Sequence, residues 1–361
     1  MEKRELKLKL NTPGFIGNAS QQAQWRTPPL KALLRFWWRI AVAAEIGREK
    51  VGEIRKRELE LFGSAGSGKD DSHRSRVLFR LNSWDPDNNR NWSPAHMRSF
   101  ENVKIKAKKP YKGNYSSLSV RADAYLGFGP LRNDKQKGVI FDPDSDRTAL
   151  PAGALTQLTL GIRGDAVPAL ERALSLAAQF GTLGGRSNNA WGSLSIDFGD
   201  ESPIPVPEGC IADLEDCREL PWPAALGRDE DGPLVWETGF HNSWESALSE
   251  LALLRRFMRE ACEVDSRVLS ERHLTGYPIT GHNLRIWDKD EQGKSRRLPD
   301  QIRFKVMSIA GGRYWGRIYH LPHGVPQDMP DRKKAQALLP KSWRKCHEAL
   351  DSKLARAEMS A

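Results

Sequence analysis

The sequence is short of the residues on which most metal, disulfide and nucleophile chemistry depends. Its four cysteines, Cys210, Cys217, Cys262 and Cys346, show no C-x-x-C spacing. A zinc ribbon and a disulfide framework are therefore not expected, and a reducing compartment is the default. No apolar run approaches the ~20 residues of a membrane-spanning helix. Met1 to Leu10 alternates charge with leucine and lacks the apolar stretch of a secretory signal. A cytoplasmic protein without membrane contact is the expectation. Neither G-x-S-x-G nor H-E-x-x-H occurs.

Three partial motifs fail on their chemistry. His320 and His323 flank Pro322, which breaks a helix that would present both to a metal. Asp142, Asp144 and Asp146 resemble a calcium loop, but Pro143 intrudes and the glycine and final glutamate are missing. Gly63 to Lys69 approximates a phosphate loop, yet Asp70 replaces the hydroxyl residue that would bind magnesium. The preceding Glu49 to Leu61 reads as a charged helix, not a buried strand. No cofactor and no metal are expected. His73, beside Arg74 and Lys69, is the candidate general base for a metal-free RNA cleavage.

What the chain does have is length and positive charge. Its 361 residues suit about two domains, and 39% hydrophobic content suits globular cores. The net charge is +10, and residues 1–120 carry 24 Lys/Arg against 12 Asp/Glu. The basic excess thus belongs to the N-terminal third and suggests a polyanion-facing surface.

Leu6, Leu8 and Leu10 alternate with lysines as in a half-buried strand. Thr27 followed by Pro28 opens a helix to about Glu45. Leu30, Leu33, Leu34, Trp37, Ala41 and Ala44 form its buried stripe. Lys31, Arg35, Trp38 and Arg39 lie on another face, suited to gripping nucleic acid by charge and stacking. Arg76 to Leu81, Ser119 to Leu126, Ala154 to Ile162 and Leu194 to Phe198 read as strands. A helix along Val167, Leu170, Leu174 and Ala177, capped by Asp165, precedes the last of them. Residues 82–114 and 263–298 read as insertions, and 131–150 as an Asp-rich, proline-punctuated loop.

The order β–α–β, insertion, β–α–β is that of a split βαβ, ferredoxin-like unit. The expected fold class is α+β, with a first domain over 1–199. Residues 200–232, rich in proline and acidic side chains, read as a linker. A C-terminal domain over 233–361 shows a less regular version of the same order. Its helix runs from Ser243 to about Ala261. A hairpin turns at Gly311-Gly312, and a basic helix spans Asp331 to about Glu358.

Gly181 to Leu194 is the richest stretch. Four glycines, Arg186 and two asparagines crowd a helix-to-strand junction. Glycine allows positive φ and close backbone approach, and successive amides there can form an anion-binding nest. Arg186 adds a planar fork suited to phosphate. Trp191 is the candidate stacking platform.

Together these motifs resemble the RAMP superfamily of CRISPR proteins. The residues that carry the resemblance are Asn11 to Gly17, Arg26 to Arg39, Leu61 to Ser64, Leu183 to Ser187 and Trp191 to Leu194. Within that superfamily, the chain resembles the first subunit of the type III-B Cmr effector complex. The resemblance implies two ferredoxin-like, RNA-recognition-type domains with long insertions. It also implies a non-catalytic subunit that binds the 3′ part of a guide RNA and its paired target RNA beside other Cmr subunits. The alternatives are a metal-independent endoribonuclease that processes guide precursors and a purely structural assembly subunit.

The resemblance places RNA contacts on Lys31, Arg35 and Arg39, and on Gly184, Gly185, Arg186 and Ser187. Asn18, Arg26, Trp38, Lys69, Arg74, Asn188 and Trp191 complete the candidate set. Asn188-Asn189-Ala190-Trp191 departs from the family, whose members often carry further basic residues and a Phe or Tyr there. Fewer phosphates would then be neutralised.

Overall fold

The computed structural model describes residues 2–64, 72–84, 92–94, 100–106, 117–134, 136–163, 167–199, 205–279, 282, 284, 287, 293, 296–309 and 311–359. In chain order the first half contains β1 (Glu2–Leu10), α1 (Thr27–Ile46), α2 (Val51–Phe62), β2 (Val77–Leu81), β3 (Asn102–Lys106), β4 (Ser117–Arg121) and α3 (Ala122–Gly127). There follow β5 (Leu131–Asp134), β6 (Gly138–Phe141), β7 (Leu155–Ile162), α4 (Val167–Phe180) and β8 (Leu194–Asp197).

β2, β7, β1 and β8 form one antiparallel sheet in that order. Leu6, Leu8 and Leu10 of β1 are buried, so the expected alternation sets its inner face. α1 and α4 pack against each other and share a core with that face. Pro28 and Pro29 occupy the first turn of α1, where missing N–H donors cost nothing. No side chain caps this helix, and Arg26, not Thr27, stands at its N-cap. The Asp165 cap expected for α4 falls outside the described residues.

Two expectations about the chain between β2 and β7 change. Ser119 to Leu126 is not one strand. β4 ends at Arg121 and the chain turns into α3, which buries Ala122, Ala124 and Leu126. Residues 131–150 are not all loop, since β5 and β6 pair as a hairpin. Asp134 closes its turn by accepting from the amides of Gln136 and Lys137.

The acidic, proline-rich segment folds as well. β9 (Ile211–Asp213), α5 (Leu214–Arg218), β10 (Leu226–Asp229) and β11 (Gly232–Pro233) make a small three-stranded sheet. Beyond it come β12 (Val235–Glu237), α6 (Trp244–Ala261), α7 (Glu271–Leu274), β13 (Ile302–Ile309), β14 (Arg313–His320) and α8 (Arg332–Asp351). Ser243 caps α6 by accepting from the Ser246 amide at 3.2 Å. The β13–β14 hairpin turns at Gly311 and Gly312, both at positive φ, as expected. β12, β14 and β13 form a second sheet in that order. After α8 the chain returns beside β12, where Arg356 bridges Trp236 and the Ala357 amide donates to Val235.

The two sheets meet at the C-terminus of α4. Its last carbonyls have no partner within the helix. Lys305 of β13 donates to the Ala178 carbonyl, Arg317 of β14 to Gln179 at 3.3 Å, and the Tyr319 hydroxyl to Phe180 at 2.7 Å. Burial, reinforced by nearby Arg317, pushes the Lys305 ammonium well below its ordinary pKa. The negative end of the helix dipole favours cations placed there. Trp37, Phe180 and Tyr319 stack around the same point, with Phe180 and Tyr319 centroids 5.0 Å apart.

Tyr319→Phe keeps the ring and orphans the Phe180 carbonyl. Urea unfolding should show a loss of about 1–3 kcal/mol. An unchanged midpoint would mean that this hydroxyl does not hold the two sheets together.

Candidate nucleic-acid interface

The glycine-rich loop leaves α4 at Gly181 and enters β8 at Leu194, crossing the seam between the sheets. Its conformation demands its residue types. Gly184 has φ +86° and Gly192 φ +65°. A Cβ on Gly192 would sit 2.0 Å from the Leu183 carbonyl oxygen, and one on Gly184 2.5 Å from that of Phe15. Arg186 and Ala190 also adopt positive φ, at 56° and 66°. Such a backbone costs a non-glycine residue about 1–2 kcal/mol and needs support around it.

That support is a buried polar network. The Ala190 carbonyl accepts from Thr12 Oγ1 at 2.6 Å and from Ser193 Oγ at 2.8 Å. Thr12 Oγ1 accepts from the Ser193 amide, and Ser193 Oγ accepts from the Val306 amide of β13. Asn11 Nδ2 donates to the Val306 carbonyl. Asn189 Nδ2 donates to Leu126 at the end of α3, and the Phe304 amide donates to the Asn188 carbonyl. The loop is thus fastened to β1's exit, to α3 and to β13.

Its outer edge is differently placed. The Gly185 amide donates to Phe15, but among the described residues no acceptor meets the amides of Gly184, Arg186, Ser187 and Asn188. Gly184 and Arg186 are exposed, while Ser187 and Asn188 are half-buried. A run of unspent amides beside an arginine is the arrangement an anion requires. Desolvation first, then repulsion from Arg255, Arg297 and Arg147, lowers the pKa of Arg186, and Asp300 opposes them. Arg255 reaches Asp300 at 3.0 Å and Arg259 reaches it at 3.8 Å. Several cations from both halves thus gather about a single paired carboxylate.

The other candidates are dispersed or committed elsewhere. Trp191 is not a stacking platform. It is fully buried, 4.9 Å from Phe15 and 5.2 Å from Trp92 between ring centroids. Trp38 does not face solvent either, because α2 covers that side of α1. Trp38 packs edge-on against Phe62 of α2 at 5.8 Å. The same covering occupies the cations. Arg35 and Arg39 share the buried Glu58 carboxylate, at 2.6 and 3.1 Å, and Lys31 donates to the Phe62 carbonyl. These three residues therefore build a helix–helix contact and not a free basic face.

Asn18 closes a local turn by accepting from the Ser20 and Gln22 amides, and Arg26 donates to the Gly17 carbonyl. His73 and Arg74 are exposed, with His73 bridged through its backbone to Ser64. Lys69 lies outside the described residues. Among the described residues no group of His, Cys, Asp or Glu has the spacing of a metal site, and no helix is long and apolar enough to cross a membrane.

Residues 7–195 match the family model of the RAMP superfamily. The chain belongs to that family. Comparison with curated proteins finds no match. Among solved structures, Cmr1 from Pyrococcus furiosus in its apo form is 14% identical, with a TM-score of 0.43; the alignment covers 94% of this chain and 97% of that one. A chain of the type III-B Cmr-beta complex bound to cognate target RNA is 13% identical, with a TM-score of 0.44, over 95% and 99% of the two chains. A chain of a type IV-B CRISPR complex is 12% identical, with a TM-score of 0.32, over 57% and 95%. The RAMP match spans β1 to β8 and ends just beyond the glycine-rich loop.

Sequence reading missed Asn11, Thr12 and Ser193 as the loop's supports, and Arg255, Arg259 and Asp300 as its electrostatic surroundings. The Ser193 hydroxyl, flanking the glycine-rich turn, is a signal for one of the first group; Asn11 and Thr12 come from the exit of β1. The second group comes from α6 and from the segment before β13, and has no local signal.

The glycines differ in what they permit. Gly192→Ala should destabilise the fold by at least about 1–2 kcal/mol through backbone strain alone. Gly185→Ala, whose added methyl would lie 3.4 Å from Phe15 Cβ, should unfold near the wild-type midpoint. Equal midpoints for the two variants would contradict the loop geometry.

Proposed function

We propose that this RAMP protein is a non-catalytic RNA-binding subunit of a type III-B CRISPR ribonucleoprotein effector. It would hold the 3′ part of the guide RNA and its paired target RNA beside other Cmr subunits. The observation that carries this is the outer edge of the loop, where Arg186 is exposed and, among the described residues, no acceptor meets the amides of Gly184, Arg186, Ser187 and Asn188. Membership of the RAMP superfamily and the net charge of +10 support it. A phosphodiester chain supplies the negative charge and the acceptor oxygens that such an edge can bind. The two strand orders, each flanked by a pair of helices, support two ferredoxin-like units, the second with its last strand reduced to the Arg356 bridge.

The basic helix plays a different part in this role from the one its charge suggests. With Arg35 and Arg39 on Glu58, the grip falls to the loop and its neighbours.

Titrating the full chain with fluorescent single-stranded RNA across about 50–200 mM salt tests the role. The logarithm of affinity should fall linearly with the logarithm of salt concentration, and Arg186→Ala should lower that slope by about 0.7. Salt-independent binding, or no binding, would reject it. Incubation of the same RNA in EDTA separates the endoribonuclease alternative. Cleavage lost in His73→Ala would replace this role with that one.

A further inference from the structure

α3 ends between the glycine-rich loop and α6. Leu126 receives Asn189 of the loop, Tyr125 lies under Arg255 at 5.7 Å, and Gly127 approaches the Trp191 indole. Immediately beyond, Phe128 is 52% exposed. No aromatic ring or cation among the described residues stacks on it. Phe240, exposed to a similar degree, differs in having Arg313 4.6 Å above its ring and Trp315 at its edge. Leaving a phenylalanine bare beside a cluster of arginines has a hydrophobic cost that the fold does not recover.

Gly129 explains the arrangement. It has φ +110°, and a Cβ there would lie 2.8 Å from a terminal nitrogen of Arg186. The missing side chain makes room for the guanidinium directly beside the Phe128 backbone. A half-exposed aromatic ring at Phe128 and the Arg186 guanidinium against Gly129 therefore stand at neighbouring positions, beside loop amides that no acceptor among the described residues meets. This pairing of a π-face with a phosphate-binding group is how proteins hold unpaired nucleotides.

We propose that Phe128 and Arg186 form a site for one unpaired nucleotide of RNA, its base on the Phe128 ring and its phosphate at Arg186. The proposal presupposes the RNA-binding role above and adds the position and the single-stranded character of the contact. Arg255 and Arg259, held on Asp300, keep the surrounding potential positive. The site reads no sequence, because every base has a face to stack.

The test compares wild type, Phe128→Ala, Phe128→Trp and Arg186→Ala as full chains. The ligands are a short oligouridylate and an abasic ribose-phosphate oligomer of equal length, and matched unfolding midpoints verify folding. Phe128→Ala should weaken oligouridylate binding between about fivefold and a hundredfold. Phe128→Trp should restore it, and Phe128→Ala should leave binding to the abasic oligomer unchanged. Arg186→Ala should weaken both ligands. If Phe128→Ala binds oligouridylate as wild type does while Arg186→Ala is impaired, stacking is overturned and the RNA-binding role stands. Equal loss on the abasic oligomer would also overturn stacking. Wild type that binds neither ligand overturns the role and the site together.

Discussion

The structure depends on how one helix ends. α4 finishes with three carbonyls aimed at the second sheet, and Lys305, Arg317 and Tyr319 receive them. Each partner alone would be a poor choice for a core. A buried amine is costly to desolvate, and a buried phenol needs an acceptor. Together with Arg317 they satisfy the helix end; the helix end in turn answers Lys305 and Tyr319, while Glu237 holds the half-buried Arg317 at 2.6 Å. The glycine-rich loop begins at the next residue. Its starting point is therefore set by residues more than a hundred positions further along the chain.

The same seam explains why the two halves do not behave as independent beads. Asn11, Ser193 and Asn188 supply hydrogen bonds on one side, and Val306 and Phe304 answer from β13 on the other. A buried polar network of this kind fixes register as well as contact, because a shift by one residue would leave several groups unpaired. The Gly-to-Leu loop is then part of an interface between sheets and part of a surface at the same time.

Local pattern made much of the fold legible. Alternating leucines placed β1, the Thr-Pro-Pro start and apolar stripe placed α1, and paired glycines placed the β13–β14 turn. The strand order of the first sheet agrees with the element order read from periodicity. The misreadings share one cause, which is tertiary covering. Trp38 and Arg35 sit on a charged helical face that looks solvated until α2, itself highly charged, is laid over it. Trp191 follows Asn188-Asn189-Ala190 and precedes glycine, yet Phe15 and Trp92 from distant segments pack against it. Arg186 and the glycines were legible because their chemistry is local. Arg255, Arg259 and Phe128 were not, because only the folded chain brings them beside the loop.

Ala190 stands in a left-handed conformation with two hydroxyls locked on its carbonyl, at 2.6 and 2.8 Å. A residue so held cannot relax into another shape without abandoning both bonds inside a dry interior. The backbone at this point of the loop is therefore set by the fold. In the RNA-binding role proposed above, the ordering cost of association would fall mainly on the incoming polymer, and RNA segments would be sorted by how readily they straighten to fit.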